Sequence, residues 1–273
     1  MHDHHVHPNY SIDATGSIDE FCQSAVEKGL DEIAFTTHVD TDPLTEDCFV
    51  IVRGKRVPVH SNEWVEEYER EVKQACDKYS CMGLRVLLGA EIDFHSRVED
   101  QLPDSFFDVD FDILIGSVHL IDHTAISAPK GADEIFNRYS LDEATSIYYN
   151  SLVEAVKTGI FDIIAHLDLY RRYGEPHYGK AVSTSWKPYI DKLARAMKKH
   201  DVGFEINTSS LRRGLGQPMP TEELTQALIQ HGITKITVGS DAHRPSDVGM
   251  GISDACQMLA NLGIDRLWMP QGE

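Results

Sequence analysis

The chain has little of what marks several large classes of protein. Its 273 residues include five cysteines, Cys22, Cys48, Cys76, Cys81 and Cys256, an odd number with no CxxC spacing. Reduced thiols in a cytoplasmic protein are the simplest reading of that pattern. No apolar run approaches the ~18 residues a membrane-spanning helix needs, and no signal peptide is read ahead of the first strand. Cations are scarce: 25 Lys and Arg stand against 44 Asp and Glu, a formal net charge of -19. Nucleic acid and anionic membrane both need clustered Lys and Arg, so neither is expected as a partner. No GxGxxG opens a helix after the first strand, which counts against a dinucleotide-binding fold.

What is present is a core and a rhythm. Hydrophobic residues make up 41% of the chain, enough to bury a sizeable interior. Short apolar runs alternate with amphipathic helical stretches. Strands are expected at the N-terminus, then at 32–37, 84–90, 111–118, 161–165, 202–206 and 235–239. Ser17 with Glu20, Ser96 with Glu99, and Ser140 with Glu143 carry capping-box spacing at helix starts. Residues 39–61 and 120–139 show little periodicity and read as two long loops. Seven strand-then-helix units imply a parallel sheet flanked by helices. A closed or nearly closed barrel fits, an open doubly wound sheet remains an alternative, and no linker divides the chain, so one domain over residues 1–273 is expected.

The first stretch, His2-Asp3-His4-His5-Val6-His7, alternates if it is a strand, so Asp3, His5 and His7 are expected to share a face. Two imidazoles two residues apart can hold one metal ion together. Further along, His38, Glu91, His119, His166, Asn207, Asp241 and His243 all fall at or just past the C-terminal ends of expected strands. Barrel enzymes build their active sites from different strands at that end. One histidine there would be ordinary, but the same residue types at nearly every strand end are not. Imidazoles mixed with carboxylates suit zinc, iron or manganese better than calcium or magnesium. There are more donors than one tetrahedral ion can use, so a multinuclear site and metal-assisted hydrolysis are implied.

His5-Val6-His7 followed by Asp13, His38 after a strand, Ala90-Glu91-Ile92-Asp93, Gly116-Ser117-Val118-His119, Ala165-His166-Leu167-Asp168 and Gly239-Ser240-Asp241-Ala242-His243 together resemble the polymerase-and-histidinol-phosphatase (PHP) superfamily. The resemblance implies a distorted (β/α)7 barrel with three divalent metal ions at the C-terminal ends of its strands. Carried over by position, His5, His7, Glu91 and Asp241 hold the first ion. Glu91 bridges to the second, which also takes His119 and His166. Asp13, His38 and His243 hold the third, with Asp13 standing where some members have histidine. Glu91, Asp241 and His243 are thereby the implied catalytic residues.

The segments Ile164-Ala165-His166-Leu167-Asp168-Leu169-Tyr170-Arg171-Arg172 and Glu205-Ile206-Asn207-Thr208-Ser209-Ser210-Leu211-Arg212-Arg213 look like the histidinol-phosphatase branch of that superfamily. In that branch an arginine on each segment binds the substrate phosphate, and Arg171 and Arg212 match. Planar guanidinium forks suit phosphate oxygens. Spacing alone leaves Arg172 and Arg213 open as the alternatives. The implied activity is a metal-dependent phosphomonoesterase hydrolysing L-histidinol phosphate. A phosphoesterase for nucleotides or another small phosphate ester, and a catalytically silent metal-stabilised module, are the rival readings. The partner expected in every enzymatic case is a small phosphate monoester.

Overall fold

The computed structural model describes residues 1–270. Seven strands run parallel in one sheet whose spatial order is the order of the chain. They are β1 (His2–Val6), β2 (Glu32–Val39), β3 (Arg85–Asp93), β4 (Ile113–Ser117), β5 (Ile163–Ile164), β6 (Gly203–Asn207) and β7 (Ile236–Gly239). The sheet curls into a nearly closed parallel barrel of the distorted (β/α)7 kind, so the open-sheet alternative falls away. Helices Ile18–Glu27, Asn62–Ser80, Leu141–Thr158, Ile190–His200, Glu222–Gln230 and Ile252–Asn261 follow strands and cover the outside. The closing seam lies between β1 and β7 and is held by few bonds. Asp241 N–H donates to His5 O at 2.8 Å, His7 N–H to Ala242 O at 2.9 Å, and Val6 forms an isolated bridge with Ala242.

Local chemistry sets the boundaries of these elements. Ser17 and Ser140 form the expected capping boxes with Glu20 and Glu143. Ser96 does not: the short helix Val98–Gln101 starts after Arg97 with no side-chain cap. Helix Leu141–Thr158 ends on Gly159 at φ 74, a left-handed position glycine takes without a Cβ clash. The helices bury one stripe each, such as Ile18, Phe21, Cys22 and Ala25 in the first. A fully buried Leu, Ile or Phe side chain contributes about 1.5–3 kcal/mol by leaving water. Inside the sheet a smaller cluster of Ala34, Leu87, Ile113, Ile115, Ile163 and Ala165 packs with Trp268.

The two segments expected to be loops are partly ordered. Residues 39–61 contain the antiparallel hairpin Phe49–Val52 with Lys55–Pro58, turned by Arg53 and Gly54 at φ 51 and 75. Both turn residues have positive φ, as a tight two-residue hairpin turn requires. Residues 120–139 contain a hairpin of Leu120–Ile121 with Thr124–Ala125 and then the helix Pro129–Arg138. Pro129 begins that helix, where a missing N–H costs nothing, and Ala132, Ile135 and Phe136 are its buried stripe. Short strands and one ten-residue helix are weak periodic signals, which is why these segments read as loops.

Candidate metal centre

The expected metal ligands gather at one end of the barrel. His38 and Glu91 sit within the last residues of β2 and β3, and His119, His166, Asp241 and His243 lie just past β4, β5 and β7. Asp13 reaches in from the turn after β1. Glu91 is the centre of this arrangement. Its Oε1 is 3.0 Å from His166 Nε2 and 3.7 Å from His119 Nε2. Its Oε2 faces the other way, 2.9 Å from His38 Nδ1, 3.4 Å from His5 Nε2 and 3.6 Å from His7 Nε2. Asp241 Oδ1 lies 3.3 Å from His7 Nε2 and 3.4 Å from His243 Nδ1. Asp13 Oδ2 is 3.3 Å from His243 Nε2, and its Oδ1 is 3.8 Å from His38 Nε2. All nine residues expected to ligate metals are therefore together.

The donor set fits divalent cations. His5 Nε2, His7 Nε2, His38 Nδ1 and Glu91 Oε2 are buried and close no hydrogen bond, although the last two lie 2.9 Å apart. Each such orphan costs about 1–3 kcal/mol unless something fills its lone pair. Possible ligand atoms converge as His5, His7 and Asp241, as Glu91, His119 and His166, and as His7, His38 and His243. Imidazole with carboxylate is the donor mixture of zinc, manganese and iron sites. Asp40, which sequence reasoning did not single out, joins His38 and His119 in a further group.

Electrostatics are consistent with sites for cations. Burial pulls His7 well below the usual imidazole range, and the neighbouring His38 and His243 push it further, so it is neutral and able to ligate. Burial takes His119 down to about 3 despite the Glu91 charge. His38 moves the other way: burial opposes its charge, but Glu91 and then Asp13 raise it to about 10. Burial works against the Glu91 carboxylate too, yet His5, His119 and His38 hold it well below the usual range. His166 and Asp241 sit at φ 28 and 53, uncommon backbone for residues other than glycine. Strain of this kind costs on the order of 1–3 kcal/mol and persists only where the surroundings fix it.

A second tier orients the ligands. Ser11 Oγ lies 3.3 Å from His7 Nδ1 and accepts from His38 N–H at 3.0 Å. Asp93 Oδ1 accepts from His119 N–H at 2.7 Å. Asn207, expected among the strand-end residues, donates from Nδ2 to Asp241 Oδ2 at 3.3 Å. Asp3 corrects the expected alternation. The register of β1 shifts between Asp3 and Val6, and the Asp3 carboxylate accepts from Ser240 N–H and Oγ–H and from Gly249 N–H instead of facing the ligands. At the other end of the barrel, His4 lies between Thr237 and Glu32, and Glu32 accepts from Arg85 at 2.7 Å. These groups satisfy one another.

The ligands floor a cavity of about 700 Å³. The expected phosphate arginines do not line it. Arg171 is buried, donating to Asp168 Oδ2 at 3.1 Å and Pro218 O at 3.2 Å, and borders a different cavity with Glu175 and Gln217. Arg212 donates to the carbonyls of Ser240 at 2.6 Å and Asp241 at 3.0 Å. Their neighbours Arg172 and Arg213 line the metal cavity instead. Consecutive residues on a helical turn point in directions about 100° apart, so only one of each pair can face the ions. Burial lowers Arg172 from its ordinary range, and the charge of Arg213 lowers it further, so the two guanidiniums feel each other. Another part of the wall is mostly acidic, with Asp42, Glu46 and Asp47 after β2 and Glu134, together with Lys130, from helix Pro129–Arg138.

Known proteins share this sequence and shape. The PHP domain profile matches residues 3–209. A protein of Deinococcus radiodurans named "Probable histidinol-phosphatase" is 30% identical over 268 residues, spanning 96% of this chain and 93% of its own. The "Histidinol-phosphatase" of Lactococcus lactis is 23% identical, over 97% of this chain and 92% of its own. The crystal structure of histidinol phosphate phosphatase from Lactococcus lactis, complexed with zinc, L-histidinol and phosphate, superposes with a TM-score of 0.76 at 20% identity, covering 97% of this chain and 95% of that one.

Proposed function

The chain belongs to the PHP domain family, and on that premise we propose that it is a metal-dependent phosphomonoesterase that hydrolyses L-histidinol phosphate to L-histidinol and phosphate. The observation that carries the reading is Glu91, whose two oxygens face two separate groups of imidazoles inside a cavity lined by paired arginines. Three ions of zinc, manganese or iron are proposed. His5, His7, Glu91 and Asp241 would hold the first, Glu91 with His119 and His166 the second, and Asp13, His38 and His243 the third. When bound, the ions would supply a nucleophile from water near neutral pH and offset charge on the phosphoryl oxygens.

The protein's own groups do the rest. Glu91 sets the spacing between the two ligand groups it faces. Arg172 and Arg213, the alternatives that spacing left open beside Arg171 and Arg212, line that cavity and would grip the phosphoryl oxygens in this reading. Asp241 and His243 line the cavity and are candidates for delivering a proton to the leaving alcohol oxygen. A silent scaffold module would have no need of a complete ligand set. No helix among the described residues is long and apolar enough to cross a membrane, and all five cysteines are free thiols, which suits a cytoplasmic enzyme. A phosphate-release screen over histidinol phosphate, nucleotides and sugar phosphates tests the activity. Preference for a nucleotide would overturn the substrate and keep the reaction.

Two further outcomes follow from the site. Elemental analysis of metal-replete protein is expected to find about three divalent ions per chain, and one ion or none would end the trinuclear reading. The acidic wall supports a cationic alcohol, because histidinol carries an ammonium group and a nucleotide does not. Replacing Glu46→Gln, Asp47→Asn and Glu134→Gln together should raise KM for histidinol phosphate roughly tenfold, taking ~0.5 kcal/mol for each exposed charge. Phenyl phosphate should keep its KM. An unchanged KM for histidinol phosphate would remove the wall from substrate recognition.

A further inference from the structure

Glu205 is a carboxylate inside β6 with no exposure, and among the described residues no Lys or Arg pairs with it. Burying a charge without a cation is expensive, so its neighbours are informative. Glu205 Oε1 is 2.7 Å from His5 Nδ1. Its Oε2 accepts from Asn207 Nδ2 at 3.1 Å and from His166 N–H at 3.3 Å. The same Asn207 Nδ2 also reaches Asp241 Oδ2 at 3.3 Å. One carboxylate thus touches one ligand directly, a second through its backbone, and a third through an amide. Gly239 on β7 makes room for this: a Cβ there would lie 2.2 Å from Glu205 Oε1 and 2.4 Å from the Cβ of His5.

We infer that Glu205 is a positioning residue for the metal centre, acting through His5 on the ion that His5, His7 and Asp241 hold. With a carboxylate at Nδ1, the ring carries its proton there and turns the lone pair of Nε2 toward Glu91. That Nε2 is one of the buried atoms without a hydrogen-bond partner. The arrangement raises the basicity of the imidazole and fixes its rotation, as outer-shell carboxylates do for metal-bound histidine. The buried negative charge then has its counter-charge in the ion. None of this depends on which ester the enzyme cleaves.

The test reads metal binding instead of turnover. The full chain is stripped of metal and titrated with zinc against a chromophoric chelator, for wild type and Glu205→Gln. Gln keeps the shape and can still accept from His5, but it brings no charge. Affinity at one of the sites is expected to fall by about 10–100-fold, while binding that depends on Asp13, His38 and His243 stays as it was. A double-mutant cycle separates this from a general packing defect. In a His5→Gln background, Glu205→Gln should cause a much smaller further loss, because the ring through which it chiefly acts is gone. If Glu205→Gln will not fold, Glu205→Asp, a carboxylate set back from His5 by one methylene, takes its place with the same expected loss. Zinc affinity within twofold of wild type in the folded variant, or an undiminished loss in the His5→Gln background, would overturn the inference.

Discussion

Glu91→Gln is expected to reduce turnover to near background while the fold survives. The substitution keeps the volume of the side chain and removes its charge. It leaves the imidazoles of His5, His7 and His38 on one side, and of His119 and His166 on the other, without the anion between them. An amide offers one oxygen as a ligand where the carboxylate offers two, so the two groups cannot both be served. Metal ions supply several kcal/mol of transition-state stabilisation, and ~1.4 kcal/mol is tenfold in rate, so a loss on the order of 10³-fold or more follows. Steady-state kinetics, metal analysis and thermal unfolding of the same preparation check it. Turnover within tenfold of wild type would mean that Glu91 does not bridge.

The arginines should give the next largest effect and separate two roles that lie side by side in the sequence. Arg172→Ala or Arg213→Ala is expected to lower kcat/KM for the phosphate ester by roughly 10²–10³-fold, or ~2.7–4 kcal/mol, by analogy with losing one donor to a developing oxyanion. Lys should rescue only in part, since an ammonium cannot grip two oxygens in a planar fork. Metal content should not change, because neither residue is a ligand. Arg171→Ala should behave differently. It leaves Asp168 buried with its charge unmatched, a defect of about 3–5 kcal/mol in stability. Kinetics and unfolding curves on all four single variants decide the matter. If Arg171→Ala and Arg212→Ala lost activity at wild-type stability while Arg172→Ala and Arg213→Ala were unaffected, the clamp would return to the first register.

Much of this was legible in the chain because strand ends are easy to locate and imidazoles recur at them. His38, Glu91, His119, His166 and Asp241 each close an apolar run, so strands that run parallel deliver them to one end of a barrel without any knowledge of its curvature. The register of adjacent arginines was not legible. Arg171 and Arg172 are chemically identical, and which one faces the cavity depends on where a helical turn begins after β5. Asp3 failed for a related reason: a shift of register in β1 breaks the alternation, and nothing in the residue types announces it. Glu205 left a trace, as a charged residue in the buried run Val202-Gly203-Phe204-Glu205-Ile206. A buried carboxylate needs a partner. Its partner lies on β1, far away in sequence, so only the folded chain identifies it.

The seam between the first and last strands also governs when the site can come into being. His5 and His7 leave the ribosome well before Asp241 and His243, which lie far later in the chain. Until β7 is made, a nascent chain therefore holds only part of the ligand set proposed for the first ion and for the third, while Glu91, His119 and His166 are already present. Joining the ends is a long-range closure, the slow kind of folding event, because the entropy of the whole intervening chain is lost before the contact forms. Once made, the seam has few backbone hydrogen bonds of its own. An ion held by ligands from both sides of it would act as a clasp whose strength rises with the supply of metal, by ~1.4 kcal/mol for each tenfold increase in free ion above the dissociation constant.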